Sequence, residues 1–280
     1  MFTSYARSTA HLPQCWEFVD VLGIGAHDNN DNLLLLSPSE SAIQSPIVCA
    51  GAILLFPTTE AIYNARSVQK ARLRKEDQAY YHNNVMSQNV FHLEQVKSFG
   101  NACGTIAATH ILLNAGLALE SVPDPFNTNC NDGKGISPSP LSLYKNACKS
   151  NGADNQAEHD SLRRERGERL VQTQAVHSIS DGAAQNRHSQ THCPESGDTY
   201  LGHHYCCFVP VTMDNGRVHV VELDGTKIRP VDHGPIVERS NSSSGSNAFL
   251  CTVASIVKRQ WMDLEPNRID FSLMALVKKE

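Results

Sequence analysis

No hydrophobic run in this chain is long enough to cross a bilayer. The longest, Ile47 to Phe56, is ten residues, about half of what a membrane-spanning helix needs. Excess positive charge is also missing: Lys plus Arg number 24 against 29 for Asp plus Glu, a formal charge of -5. The densest basic cluster is the short Arg163-Arg164-Glu165-Arg166 stretch, so neither membrane nor nucleic acid is an expected partner. Met1 to Pro13 has no continuous apolar stretch of signal-peptide length, and its one basic residue, Arg7, falls short of a mitochondrial presequence. No P-loop, no G-x-G-x-x-G and no internal repeat is present, so no nucleotide cofactor is expected. The nine cysteines are an odd number and several lie inside apolar runs, which suits reduced thiols in the cytoplasm better than a disulfide framework.

What is present is enough for a packed core. Apolar residues make up 40% and charged residues 19%, ordinary globular usage. At roughly 150 residues per domain, 280 residues accommodate two domains or one large α/β domain. Trp16 to Leu22 alternates and is rich in aromatic and β-branched residues, the pattern of a strand. Ile47 to Phe56 is apolar on both alternating faces and ends at Pro57, as a central buried strand does. A helix is expected over Asn64–Glu76, and Asn101–Gly116 carries apolar residues at helical spacing before a Gly stop.

From Asn151 to Asp198 the apolar content collapses. The charged part, Glu158 to Val171, is helix-prone, and its Asp160–Arg169 segment is expected to be a solvated face. The stretch after it is expected to be a long exposed loop, a length that in compact domains is usually functional or disordered. Tyr205–Thr212 and Arg217–Leu223 then flank Asp214-Asn215-Gly216, a strong hairpin signal. A flexible loop at Ser240–Ser246, a helix at Ala248–Met262 and a last strand at Ile269–Val277 complete an α/β (α+β) pattern with a mostly antiparallel sheet flanked by helices.

Cys103 opens the apolar helix behind Asn101, a residue type suited to capping. At a helix N-terminus the dipole and free N–H groups favour a thiolate and can donate to an oxyanion, although a cysteine there can equally be a small buried hydrophobe. A nucleophilic thiol needs a base. His110 is seven residues on, about 10.5 Å along the helix, too far to serve. His204 and Asp224 stand 20 residues apart at the two ends of the hairpin, and an antiparallel pairing returns them side by side. A metal at His203, His204, Cys206 and Cys207 is disfavoured, because neighbours in a strand point to opposite faces and no second ligand pair follows.

Gly100-Asn101-Ala102-Cys103-Gly104-Thr105-Ile106-Ala107, with His110, resembles the active-site signature of the ubiquitin C-terminal hydrolases, papain-like cysteine peptidases. His204-Tyr205, Val221 to Gly225 and Pro230-Val231-Asp232-His233-Gly234 resemble that family's second signature, and the likeness runs along almost the whole chain. It implies a single catalytic domain over 1–280, with an active-site crossover loop at about 173–199, that cleaves amide or ester bonds at the C-terminal glycine of ubiquitin. The implied roles are Cys103 as nucleophile, His204 as general base and then acid, and Asp224 as its orienting group, with Glu222 a plain strand residue. No cofactor or metal is implied, ubiquitin is the implied partner, and a cytoplasmic monomer is expected.

Three features depart from the family pattern. Only fifteen residues precede Trp16, the hairpin is about five residues longer than usual, and the family's oxyanion-hole Gln, six residues before the nucleophile, is here Lys97. The nearest Gln is Gln95, so Lys97 and Gln95 are both candidates for the second oxyanion donor. The alternative function is a ubiquitin-binding protein of the same fold whose catalysis is weak or lost because of Lys97.

Overall fold

The computed structural model of the chain describes residues 1–22, 34–36, 48–76, 90–115, 122–123, 136–148, 155–185, 202–236 and 245–279. Its centre is β3 (Cys49–Pro57), which pairs with β6 (His203–Thr212) on one side and β9 (Ser272–Lys278) on the other. Ala52, Leu54 and Phe56 enter the core on one face and Ile53 the core on the opposite face, the two-sided burial that a continuous apolar run requires. β1 (Trp16–Leu22) and β2 (Leu34–Leu36) extend the sheet beyond β9, and β7 (Val218–Leu223) and β8 (Val231–Pro235) extend it beyond β6. The seven strands run in the order β2-β1-β9-β3-β6-β7-β8, every pairing antiparallel. A separate pair, β4 (Val122–Pro123) and β5 (Ile136–Ser137), lies apart from it.

The β6–β7 hairpin closes where Asn215-Gly216 predicts. The Met213 N–H donates to the Arg217 carbonyl at 2.8 Å, and the Gly216 N–H to the Met213 carbonyl at 2.9 Å. Gly216 takes φ 73°, the left-handed position of a type I turn with a bulge.

Helices cover both faces. On one, α3 (Cys103–Asn114) lies against β3 and β6, and α1 (Phe2–Ala10) packs against it and against α4 (Pro140–Ala147) and α6 (Gln174–Gln185). α3 is buried from Cys103 to Leu113 except at Thr105, as a helix apolar on all sides must be. On the other face α7 (Gly245–Gln260) inserts Phe249, Leu250, Val253, Ile256 and Val257, and α2 (Glu60–Lys75) adds Ile62. α5 (Gln156–Gln172) packs against α6 and a 3-10 turn at Lys97–Phe99.

The α/β class with a central antiparallel sheet is as expected; several segments differ. The first residues form α1, whose Phe2, Tyr5, Ala6, Thr9 and Ala10 are buried at helical spacing. α2 begins at Glu60 rather than Asn64 because the Thr59 hydroxyl accepts from the Ile62 N–H at 3.4 Å. The expected loop at 173–199 opens instead with α6, and its remainder beyond Gln185 lies outside the described residues. Of the loop expected at Ser240–Ser246, Gly245 and Ser246 belong to α7 and the rest lies outside them too.

Candidate active site

Cys103 is the first residue of α3, 5% exposed. Ala102, not Asn101, occupies the N-cap, and no side chain caps this end. The Asn101 amide oxygen instead faces the Cys103 thiol, 3.5 Å from its sulfur. An uncapped helix start leaves main-chain N–H groups available to a ligand.

The hairpin register places the histidine and the carboxylate. Cys207 pairs with Leu223, which sets His204 and Asp224 as diagonal neighbours on one face of the sheet. His204 Nε2 meets Asp224 Oδ1 at 3.0 Å, and the Cys103 thiol lies near enough to the same imidazole to favour its charged form. With Nε2 committed to the carboxylate, Nδ1 is the atom left for sulfur. Phe56, directly opposite His204 on β3, packs its ring edgewise at 5.5 Å and fixes the imidazole plane. Burial alone would push His204 down, but the Asp224 charge and hydrogen bond, together with Cys103, lift it from 6.5 to about 9.

Asp224 is held from several sides. The Thr226 N–H and hydroxyl both donate to Oδ1 at 2.8 Å, and Arg66 of α2 pairs with Oδ2. Burial would raise this carboxyl, but His204 and Arg66 hold it well below the usual range. Glu222, read from sequence as a plain strand residue, is fully buried and pairs with Lys227, with His233 at 3.0 Å and with Arg66 at 4.0 Å. Burial opposes its ionisation too, yet these cations bring it down to about 2. Arg66 therefore bridges Asp224 and a second buried carboxylate.

The two oxyanion candidates lie in different settings. Lys97 is exposed at the start of the Lys97–Phe99 turn. Gln95 is clamped beside Asp224: its N–H donates to the Gly225 carbonyl at 3.0 Å, and a Cβ added at Gly225 would lie 2.9 Å from that nitrogen. The Gln95 side-chain Nε2 donates to the Gly100 carbonyl at 3.3 Å, while its Oε1 is buried with no hydrogen-bond partner. The 3-10 turn takes up the chain between Gln95 and Cys103, which is how a glutamine eight residues before the cysteine still reaches the site's edge.

The charged segment Asp160–Arg169 is solvated on one side only, where Ser161, Arg164 and Glu168 are exposed. Arg163 and Arg166 are 7% and 4% exposed. Arg163 donates to the Gly225 and Lys227 carbonyls, and Arg166 to the His92 carbonyl at 3.0 Å. The sequence signal for this was the stripe His159, Arg163, Arg166, Leu170, spaced four, three and four apart and buried throughout. His92 Nε2 meets the Asp224 main-chain carbonyl at 2.9 Å, and His110 Nε2 accepts from the Leu93 N–H at 3.0 Å. Burial, then neighbouring cations and imidazoles, push His92 well down, His110 to about 3 and His159 to about 4.

His203 pairs with Asp270 at 2.9 Å, away from His204. Among the described residues no group of three or more His, Cys, Asp or Glu is arranged to hold a metal ion, and no helix is long and apolar enough to cross a membrane. The described cysteines are free thiols.

Comparison with known proteins gives the family and the fold. The family model described as "Ubiquitin carboxyl-terminal hydrolase, family 1" matches residues 1–259. A probable ubiquitin carboxyl-terminal hydrolase of Dictyostelium discoideum is 28% identical over 283 residues, covering 100% of this chain and 85% of that protein. The Homo sapiens ubiquitin carboxyl-terminal hydrolase isozyme L1 is 24% identical over 263 residues, covering 94% and 88%. In fold, the chain is similar to the Trichinella spiralis UCH37 catalytic domain bound to ubiquitin vinyl methyl ester, with TM-score 0.54, 17% identity, and coverage of 99% of this chain and 91% of that one.

Proposed function

The chain belongs to family 1 of the ubiquitin carboxyl-terminal hydrolases and is a cysteine-type enzyme of that family, and from that premise we propose that Cys103, His204 and Asp224 perform the hydrolysis. The observation that carries the assignment is the single imidazole of His204, hydrogen-bonded to a buried carboxylate and influenced by the thiol at the start of α3. In this reading His204 takes the Cys103 thiol proton while the sulfur attacks the carbonyl carbon of ubiquitin's C-terminal glycine, forming a C–S bond as the carbonyl electron pair moves onto oxygen. The Cys103 N–H and the Gln95 side-chain amide donate to that oxyanion. Collapse re-forms the carbonyl and breaks the bond to the leaving group, whose departing nitrogen or oxygen takes the His204 proton. His204 then removes a proton from water, whose oxygen adds to the thioester carbonyl; collapse breaks the C–S bond, and His204 returns the proton to the departing Cys103 thiolate.

The substrate class is an amide or ester at the ubiquitin C-terminus, small adducts included, and the working form is a single-domain cytoplasmic monomer. A relative of similar fold is bound to a ubiquitin electrophile, which supports ubiquitin as the partner. The seat of Gln95 against Gly225 favours this reading over a binding protein with lost catalysis, since a side-chain amide stands at the site's edge while Lys97 is exposed.

A fluorogenic amide at the ubiquitin C-terminus tests the assignment. Gln95→Ala is expected to lower kcat by about 10²–10³. Lys97→Ala is expected to stay within about twofold, as an exposed side chain free of special contacts does. The reverse ranking would return the oxyanion role to Lys97.

A further inference from the structure

Two irregular segments meet behind the catalytic groups, Val90–Val96 carrying Gln95 and the turn Asp224–Pro230 carrying Asp224. Neither belongs to a strand, so no ladder sets their spacing, and one main-chain bond, from the Gln95 N–H to the Gly225 carbonyl, joins them. Arg163 of α5 spans the same junction. Its Nη1 donates to the Gly225 carbonyl at 3.3 Å and to the Lys227 carbonyl at 2.8 Å, while Nη2 pairs with Glu94 Oε2 at 3.1 Å. Its own carbonyl accepts from the Glu94 N–H at 2.9 Å. Four residues on, Gly167 lets α5 approach so closely that an added Cβ would lie 2.2 Å from the Glu94 carbonyl oxygen.

We infer that Arg163 is a positioning residue, whose guanidinium holds the Gln95 segment and the Asp224–Gly225 turn at the separation that the oxyanion donor and His204's partner both need. This rests on the roles proposed above for Gln95 and Asp224. A planar fork with several donors is suited to bridging two carbonyls and a carboxylate at once, which a lysine ammonium on a flexible stem is not. Removing a buried cation alone leaves its partners unsatisfied and costs stability whatever its role, so a stability loss does not separate the two readings. Turnover does separate them, because geometry near a reacting centre is worth up to about 10²-fold for a displacement of about 1 Å.

The test has one readout that needs no ubiquitin and one that does. In the resting protein, Arg163→Lys keeps the charge and is expected to speed hydrogen exchange at the Gln95 amide by about tenfold or more, with the amides of β6 and β7 unchanged, the mark of local opening. With the fluorogenic ubiquitin substrate, Arg163→Lys and Arg163→Met are expected to lower kcat by about 10- to 100-fold with little change in KM. In a Gln95→Ala background the same change should cost several-fold less than in the parent, the remainder passing through the Asp224 turn, since contacting residues are not additive. Rates are counted per active site by stoichiometric labelling, so a poorly folded variant does not imitate the effect. Unchanged Gln95 exchange, an unchanged kcat, or an equal loss in both backgrounds would each overturn the proposal. Faster local exchange in a protein whose wild type does not hydrolyse the substrate would retain the clamp and reject the proposed function instead.

Discussion

Asp224 has two histidine neighbours, and they are in opposite protonation regimes. His204 meets its carboxylate and is lifted to about 9; His92 meets its main-chain carbonyl and is pushed well below the ordinary imidazole value. Both rings are buried, and burial drives both downward. The difference lies in what else each ring faces. His204 has a carboxylate and a thiol. His92 has His110, His159 and Arg163, which add positive charge or leave none to offset it. A buried imidazole therefore becomes a proton carrier only where an ionised oxygen outweighs desolvation. His92, whose ring stacks with those of His110 and His159, is a neutral strut for the Asp224 main chain.

Removing the carboxylate breaks the comparison most severely. Asp224→Asn is expected to cost about 10³–10⁴ in kcat, on the scale seen when a triad carboxylate becomes an amide, and to let the His204 imidazole fall from about 9 toward or below 6.5. Steady-state kinetics with an imidazole titration by NMR measures both. A kcat loss below about tenfold would mean that His204 is oriented by something other than Asp224.

The pH dependence of stability sharpens the same contrast, because the two settings have opposite signs. His204 is raised from 6.5 to about 9 in the fold, so its contribution is complete below pH 6.5 and lost as pH rises through about 9. The stability gap between wild type and His204→Asn should shrink over that window by at most roughly 3 kcal/mol. His110 is lowered from 6.5 to about 3, so its contribution is complete above pH 6.5 and lost as pH falls toward 3. His110→Gln retains an acceptor for the Leu93 N–H and should show an acid loss smaller than wild type by roughly 2 kcal/mol near pH 5. Denaturant melts across pH decide this, and parallel curves for wild type and both variants would erase the distinction.

The smallest expected effect is at the strut. His92→Phe keeps a ring of similar size and removes one donor to the Asp224 carbonyl, which also accepts from the Lys227 N–H at 3.0 Å. A stability loss of about 1–3 kcal/mol with a kcat change under about tenfold is expected. A kcat loss matching Asp224→Asn would mean the stack participates in proton transfer.

How much of this was legible in the sequence follows from what each residue depends on. β3 and α3 were readable because apolar runs report burial directly, and the hairpin was readable because Asn215-Gly216 specifies its own turn. His204 and Asp224 came together for the same reason, through register. Arg163 and Arg166 were misread because a charge is buried only when partners from distant segments satisfy it, here the carbonyls of 92, 225 and 227; Glu222 lies in β7 as expected, but its burial likewise depends on Lys227, His233 and Arg66. Hydropathy assigns such residues to solvent. Counting along the chain could not rank Gln95 against Lys97, since the 3-10 turn at Lys97–Phe99 interrupts the spacing to Cys103.

The central claim is that one thiol, activated by His204 against Asp224, attacks the ubiquitin C-terminus. An electrophile such as a vinyl methyl ester placed at that terminus, followed by peptide mapping of the adduct, tests it most directly. A stoichiometric adduct on Cys103, abolished in Cys103→Ala and slowed in His204→Ala, is the expected result; label on Cys206, Cys207 or any other cysteine, or labelling that survives Cys103→Ala, would contradict it.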